Sequence, residues 1–293
     1  GRSKGVRGTV PYYGQILGIK DIPQPKNLEI VPYFLAGQTQ SEDLSKETNL
    51  GLDLRYNINS STTLNMAFNP DFGQVEADPS VLNLSAFETR LNEKRPFFVQ
   101  GANFFSSWMR VFNSRRIGQR PGFIEPDAGD IVDRPNETTI LSAAKILGQT
   151  STGVKYGIIN AVTNQEYASL ELEKDGKIVK EDFLIEPYSN YFVGRVTKPF
   201  INELSAIGLM ATDLKREGYS DVATSLKGDF LINLLDNKFS FTGEYGSTIN
   251  NDKTGFGGRY RISYRNPVLW ELAAWGGFYD DKWDVGAMGF QQK

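Results

Sequence analysis

Three carboxylates, Asp71, Glu76 and Asp78, fall within eight residues beside Gly73. Oxygen donors bunched this closely could hold a hard cation such as Ca²⁺, which takes about six to eight of them. The spacing fits no EF-hand loop, and the same acids could instead pair with Lys94, Arg95, Arg115 or Arg116, pinning the stretch in place. Glycoside hydrolysis is a second chemistry open to carboxylates, with one protonated acid and one base or nucleophile about 5 to 9.5 Å apart. Glu76 or Asp78 with Glu88 or Glu93 would supply that pair, but a chain with 35 acidic residues offers many such pairs and the signal is unspecific. Chemistry that needs imidazole or thiolate is excluded. The 293 residues contain no His and no Cys, which removes Ser-His-Asp triads, Cys nucleophiles, disulfides and thiolate zinc sites.

A second set of charged residues is distinguished by position. Asp53 and Arg55 alternate with Leu50, Leu52, Leu54, Tyr56 and Ile58; after Asn59-Ser60-Ser61 the alternation resumes in Leu64, Met66 and Phe68 against Thr63 and Asn65. Lys227 and Asp229 alternate with Leu226, Phe230 and Ile232, Glu244 with Phe239, Phe241 and Tyr245, and Arg259 and Arg261 with Phe256, Tyr260, Ile262 and Tyr264. A period of two is the mark of strands with one apolar and one polar face. If the apolar rows meet lipid, Asp53, Arg55, Lys227, Asp229, Glu244, Arg259 and Arg261 line a lumen, where charged rings tune solute passage or bind anionic groups and sugar hydroxyls. They could equally form a ladder of structural ion pairs, or the solvated face of a soluble sheet.

The elements that must carry these residues follow from the same pattern. Further strands are expected near 28–37, 138–147, 152–163, 188–198, 204–213, 268–279 and 284–291, about twelve in all. Links alternate between short (59–61, 148–151, 199–203, 235–238, 265–267) and longer (38–47, 70–137, 164–187, 214–220, 247–253), the rhythm of an up-and-down barrel. Eleven residues at about 3.3 Å each, tilted near 45°, roughly cover the 25 Å apolar band of such a barrel. Tyr33, Phe34, Phe68, Tyr264, Trp270 and Tyr279 sit near strand ends, where aromatic girdles form. The net charge of −3 is spread along the chain, without the basic footprint that nucleic acid requires. No apolar run reaches the length of a membrane-spanning helix, and a mean hydropathy of −0.37 is compatible with a barrel.

Between 70 and 137 the alternation stops. The content of Phe, Trp108 and Met109 argues for an ordered segment folded into or over the lumen. Its string NPDFGQVEADPSVLNLSAFETRLNEKRPFFVQGANFF, followed by FNSRRIG, resembles the signature of the DUF5916 family of Bacteroidota-type outer-membrane proteins. GLDLRYNINSSTTLNMAFNPDFGQ before it and NYFVGRVTKPF after it are similar to the same family, so the resemblance covers most of the chain. It implies a β-rich barrel behind an N-terminal carbohydrate-binding domain similar to binding-module family 9. Residues 1–26 then read as the linker from that domain, and a glycan or oligosaccharide becomes the implied ligand. The family's biochemical activity is not established.

The expectation is an all-β, antiparallel, up-and-down transmembrane β-barrel over 27–293 in a Gram-negative outer membrane, with 70–137 an inserted plug or extracellular segment. It carries no cofactor, unless Ca²⁺ sits at Asp71, Glu76 and Asp78. Its partners are outer-membrane lipid, a glycan, and subunits of an outer-membrane complex. The function expected is passage or surface capture of glycans; the alternatives are a structural anchor for a complex and a two-carboxylate carbohydrate hydrolase. Asp71, Glu76, Asp78, Glu88, Glu93, Arg95, Arg115 and Arg116 are the residues expected to anchor the plug.

Overall fold

The structure, a computed structural model, describes residues 27–40, 44–70, 92–127, 129–174, 177–220, 222–266 and 269–290. Its strands begin with β1 (Leu28–Gln40), β2 (Leu44–Asn59), β3 (Thr62–Phe68), β4 (Asp130–Asp133), β5 (Ile140–Gln149), β6 (Lys155–Thr163) and β7 (Glu166–Lys174). They continue with β8 (Lys177–Glu186), β9 (Ser189–Phe200), β10 (Asn202–Arg216), β11 (Val222–Leu234), β12 (Phe239–Asn250), β13 (Lys253–Arg265) and β14 (Glu271–Tyr279). Eleven of them form one antiparallel sheet in the order β1-β2-β3-β5-β6-β9-β10-β11-β12-β13-β14, while β4, β7 and β8 form a separate three-stranded sheet. The large sheet is a meander whose successive strands are neighbours. Its two ends, β1 and β14, are not paired with each other, so these eleven strands do not close into the barrel expected from the sequence.

Eleven of the twelve expected strands are present. Over 284–290, the described part of the twelfth near 284–291, the chain instead makes a turn in which Met288 N–H donates to Val285 O at 3.2 Å and Val285, Met288 and Phe290 are all buried. This stretch has no polar row to set against an apolar one, so it has nothing to gain from a sheet. Conversely, β7 and β8 occupy what reads as the long link 164–187. Ala168 and Leu170 alternate there with polar residues and are buried, a period of two that the many charges of the hairpin obscure. Strands also run further than their patterns. β12 and β13 meet at Asn251-Asp252, whose φ values of 46° and 62° give the primed two-residue turn that matches strand twist. The long links are therefore two, β3 to β5 and β6 to β9, and the meander places both on the same rim.

Register assigns each side chain to a face. Lys145, Arg195, Met210, Lys227, Glu244 and Arg259 lie on one, through the pairs Asn65↔Lys145, Lys145↔Ile159, Ile159↔Val193, Arg195↔Met210, Met210↔Lys227, Asp229↔Glu244 and Glu244↔Arg259. The other carries Phe34, Leu50, Val196, Leu209, Leu226, Tyr245, Phe256 and Leu272, all exposed. Parity sorts the girdle candidates as well. Phe34, Phe68 and Tyr264 are on the apolar face, but Tyr33 and Tyr279 are on the polar one, where the Tyr33 hydroxyl donates to Asn69 O at 2.8 Å.

The core lies on the polar face, toward the rim with the long links. Residues 92–118 run there through two short helices, α1 (Pro96–Val99) and α2 (Ala102–Phe105), and a 3₁₀ turn at Ser114–Arg116. Phe98, Phe105, Met109, Val111 and Ile117 are buried against Ile140, Ala143, Ile159, Ala161, Tyr191, Val193, Met210 and Leu214 from the strands, with Trp283, Val285 and Met288 closing the end. Each large side chain so buried stabilises by roughly 1.5–3 kcal/mol.

Candidate functional site

The polar face holds a chain of ionised groups that ends on the backbone of the 92–118 segment. The Lys227 ammonium is fully enclosed, 3.1 Å from Asp229 Oδ2 and 3.2 Å from Glu244 Oε1. Asp229 Oδ1 also accepts from Arg195 Nη2 at 2.9 Å, a contact that spans β10 where Gly208 stands opposite Asp229. A Cβ at position 208 would lie 2.8 Å from that oxygen. Two cations and two carboxylates balance, so the group can be buried without net charge.

The segment is held from the same residues. Glu244 accepts from Trp108 N–H at 3.1 Å through Oε1 and from Met109 N–H at 2.8 Å through Oε2. Arg195 Nη1 donates to Ser106 O at 2.7 Å, and Arg259 Nη1 donates to Trp108 O at 3.2 Å. On β5 the buried Lys145 donates to Gln100 O at 2.6 Å and to Phe97 O, capping the open carbonyls at the end of α1. Four charged side chains of the sheet thus grip six backbone groups between 97 and 109. A strand position facing water would not need such partners; a buried peptide group does.

Within the segment, Glu93 and Arg95 form a bidentate pair, with Nε at 2.8 Å from Oε1 and Nη2 at 2.7 Å from Oε2. Arg95 also donates to Ser114 O and Ile117 O, each at 2.7 Å, and Ser114 Oγ donates to Glu93 Oε2 at 2.6 Å. Burial alone would raise the Glu93 carboxyl; hydrogen bonds and charge from Arg95, with the Ser114 hydroxyl, outweigh it and hold the group below its ordinary range. Arg115 donates to Asn92 O, and Arg116 to Gly289 O at 2.9 Å, tying the segment to the closing turn. Further along, Glu186 of β8 accepts from Gly122 and Phe123 N–H at 3.1 and 3.0 Å.

Of the expected polar row, the structure gathers Lys227, Asp229 and Glu244 into one network and puts Arg259 beside it. Arg261 instead pairs with Glu271 at 3.1 Å. Asp53 and Arg55 lie on the same face but exposed, on β2 at the far side of the sheet. Asp71, Glu76, Asp78 and Glu88 lie outside the described residues, and so does the calcium site expected there; among the described residues no cluster of three or more potential metal ligands occurs. Sequence reasoning did not single out Lys145 or Arg195. Each is the lone cation in an otherwise small or apolar row (Ala143, Leu147; Tyr191, Val193), and that isolation was a readable signal. Trp275 is also placed by register alone. It lies opposite Arg261 on the polar face, whereas Leu272 and Phe278 project from the apolar one.

No curated protein matches the chain. Among solved structures it is similar to OmpTdeltaL8, a loop L8 deletion mutant of OmpT, an outer membrane protein of Vibrio cholerae, at 11% identity and a TM-score of 0.35 over 87% of this chain and 94% of that one. It is also similar to in-vitro folded OmpT of Vibrio cholerae, at 11% identity and a TM-score of 0.33 over 91% of each chain. The family described as "Domain of unknown function (DUF5916)" matches residues 24–293, the whole extent of the sheet and of the segment packed on it, and the chain belongs to that family.

Proposed function

We propose that this chain builds the wall of an outer-membrane β-barrel whose lumen is occupied by the 92–118 segment, and that it works as a surface-binding or gated barrel rather than an open pore. The observation that carries this reading is the contrast between the faces of the eleven-stranded sheet. One presents Leu50, Leu209, Leu226, Tyr245 and Leu272 without cover; the other buries Lys145, Lys227 and Glu244 under a packed segment. An exposed apolar face of this extent suits a hydrocarbon solvent, and ionised groups belong on the side away from it. In a bilayer the free edges of β1 and β14 must be paired, since lipid offers no partner for their N–H and C=O groups, and single-chain bacterial barrels have even strand numbers. At least one more strand beside these eleven is therefore part of the proposal.

Passage or capture of glycans, the use implied by the family resemblance, would involve the polar face beyond the segment. The density of pins on residues 97–109 favours, as a second reading, a barrel that conducts nothing and serves as an anchor. Planar-bilayer recording separates the two. Purified protein is expected to insert and show no steady conductance; Lys145→Met combined with Glu244→Gln, which releases the segment, should open a conductance if the barrel is gated and leave it silent if it is an anchor. Protein that fails to float with lipid vesicles would sink both readings.

A further inference from the structure

Three of the four tryptophans of the chain, Trp108, Trp275 and Trp283, gather on the polar face with Tyr279, Arg110 and Arg259. They line two adjoining cavities of about 340 and 330 Å³ that share Trp108 and Arg259. Tyr279 and Trp283 are in contact, with ring centroids 5.4 Å apart at 44°. Trp108, Trp275 and Tyr279 remain 41%, 74% and 46% exposed. Exposed rings on the other face belong to a continuous apolar surface; these stand instead among ionised groups.

The arginines point the same way. Arg195 and Lys227 reach Asp229, Arg95 reaches Glu93, and Arg261 reaches Glu271, but among the described residues no carboxylate lies within ion-pair distance of Arg110 or Arg259. The Arg110 guanidinium is carried over the Phe290 ring at 5.5 Å, from a backbone with φ 49° that Phe290 N–H holds through Arg110 O at 3.0 Å. Trp108 is fixed by Glu244 and Arg259 as described above. A site with flat rings and two guanidinium groups that make no ion pair among the described residues complements a ligand with a ring that stacks and a carboxylate that guanidinium groups can grasp.

We propose that this cleft binds a carboxylate borne on a six-membered ring, either a sugar acid or an aryl acid. The volumes fall at the small end of ligand sites, about 300–1,000 Å³, which suits a one- or two-ring molecule. The site lies on the polar face whether or not the sheet enters a membrane, so its test uses detergent-solubilised protein.

Tryptophan emission and calorimetry are followed during titration with glucuronate and with 4-hydroxybenzoate, against the neutral counterparts glucose and phenol. One or both acids should bind saturably, at least about tenfold more tightly than the neutral partner, as expected for charge-assisted hydrogen bonds. Which acid binds identifies the source of the ring. Arg110→Gln and Arg259→Gln should each weaken binding about tenfold or more, and Trp275→Ala should weaken it too; Arg110→Gln and Trp275→Ala keep the melting temperature, whereas Arg259→Gln also gives up its bond to Trp108 O and is titrated well below its own, lower melting temperature. Failure of both acids to bind overturns the proposal. So does equal binding of neutral rings, or arginine variants that melt early yet bind as before.

Discussion

Lys227 has its ammonium shut away from water between two carboxylates, and this makes it the most exposed point of failure in the network. Lys227→Met leaves Asp229 and Glu244 with less positive charge than they need, and breaking a buried pair from one side costs about 3–5 kcal/mol. Unfolding in urea followed by tryptophan fluorescence should show that loss, and the double variant with Glu244→Gln should recover part of it. Gly208→Ala tests the crossing of Arg195 to Asp229. The added methyl meets the carboxylate at 2.8 Å, and crowding of this kind costs about 1–3 kcal/mol; unchanged stability would mean that Asp229 reaches Arg195 by another path. Glu93 gives a pH signature. Its folded value is lowered, so its contribution is full above the unfolded value near 4.5 and is lost as pH falls through the folded one. The wild type should therefore lose stability relative to Glu93→Gln on going from neutral pH to below that window; parallel melting curves for the two would sink the assignment.

Strands and segment can be tested by where they put a label. The chain contains no cysteine, so each introduced thiol reports alone. Leu209→Cys, Leu226→Cys and Tyr245→Cys, on the apolar face, should resist a charged maleimide in lipid vesicles, while Asp53→Cys and Arg55→Cys on the other face should react. Labelling in the reverse pattern would refute the face assignment. Leu226→Arg carries the same argument in energy. Near the middle of a lipid-facing strand an arginine costs about 2–4 kcal/mol, whereas in water the change would be nearly neutral. The 92–118 segment holds its place through backbone groups, so substitutions of its exposed side chains should leave its position unchanged.

Taken whole, the described residues form a curtain of long strands with a packed segment at one rim and with β1 and β14 as the end strands of the sheet. The segment and the closing turn at 283–290 pack together through one core and two backbone bonds, Asn113 N–H to Met288 O and Phe290 N–H to Arg110 O, bridging residues far apart in the chain. Much of this was legible beforehand. The alternation at 48–68 and 222–264 placed each residue on its face, because side-chain direction in a strand depends only on parity, and Leu226 and Lys227 lie as their neighbours dictated. The 284–291 stretch and the 166–186 hairpin were misjudged, since a strand is recognised by contrast between its faces; the first has no polar row and the second has charges on both.

Composition and period settle, unaided, that this is an all-β chain of two-faced antiparallel strands and that imidazole and thiol chemistry is foreign to it. Both are local properties, read from residue types and from the direction of adjacent side chains. The grip of Lys145, Arg195, Glu244 and Arg259 on the backbone of 97–109 belongs to the tertiary structure alone, as does the meeting of Trp108, Arg110, Trp275 and Trp283. Those partners are separated by many strands of sequence. A backbone carbonyl has no signature in the residue that carries it, so only the fold can say which carbonyl a lysine will reach.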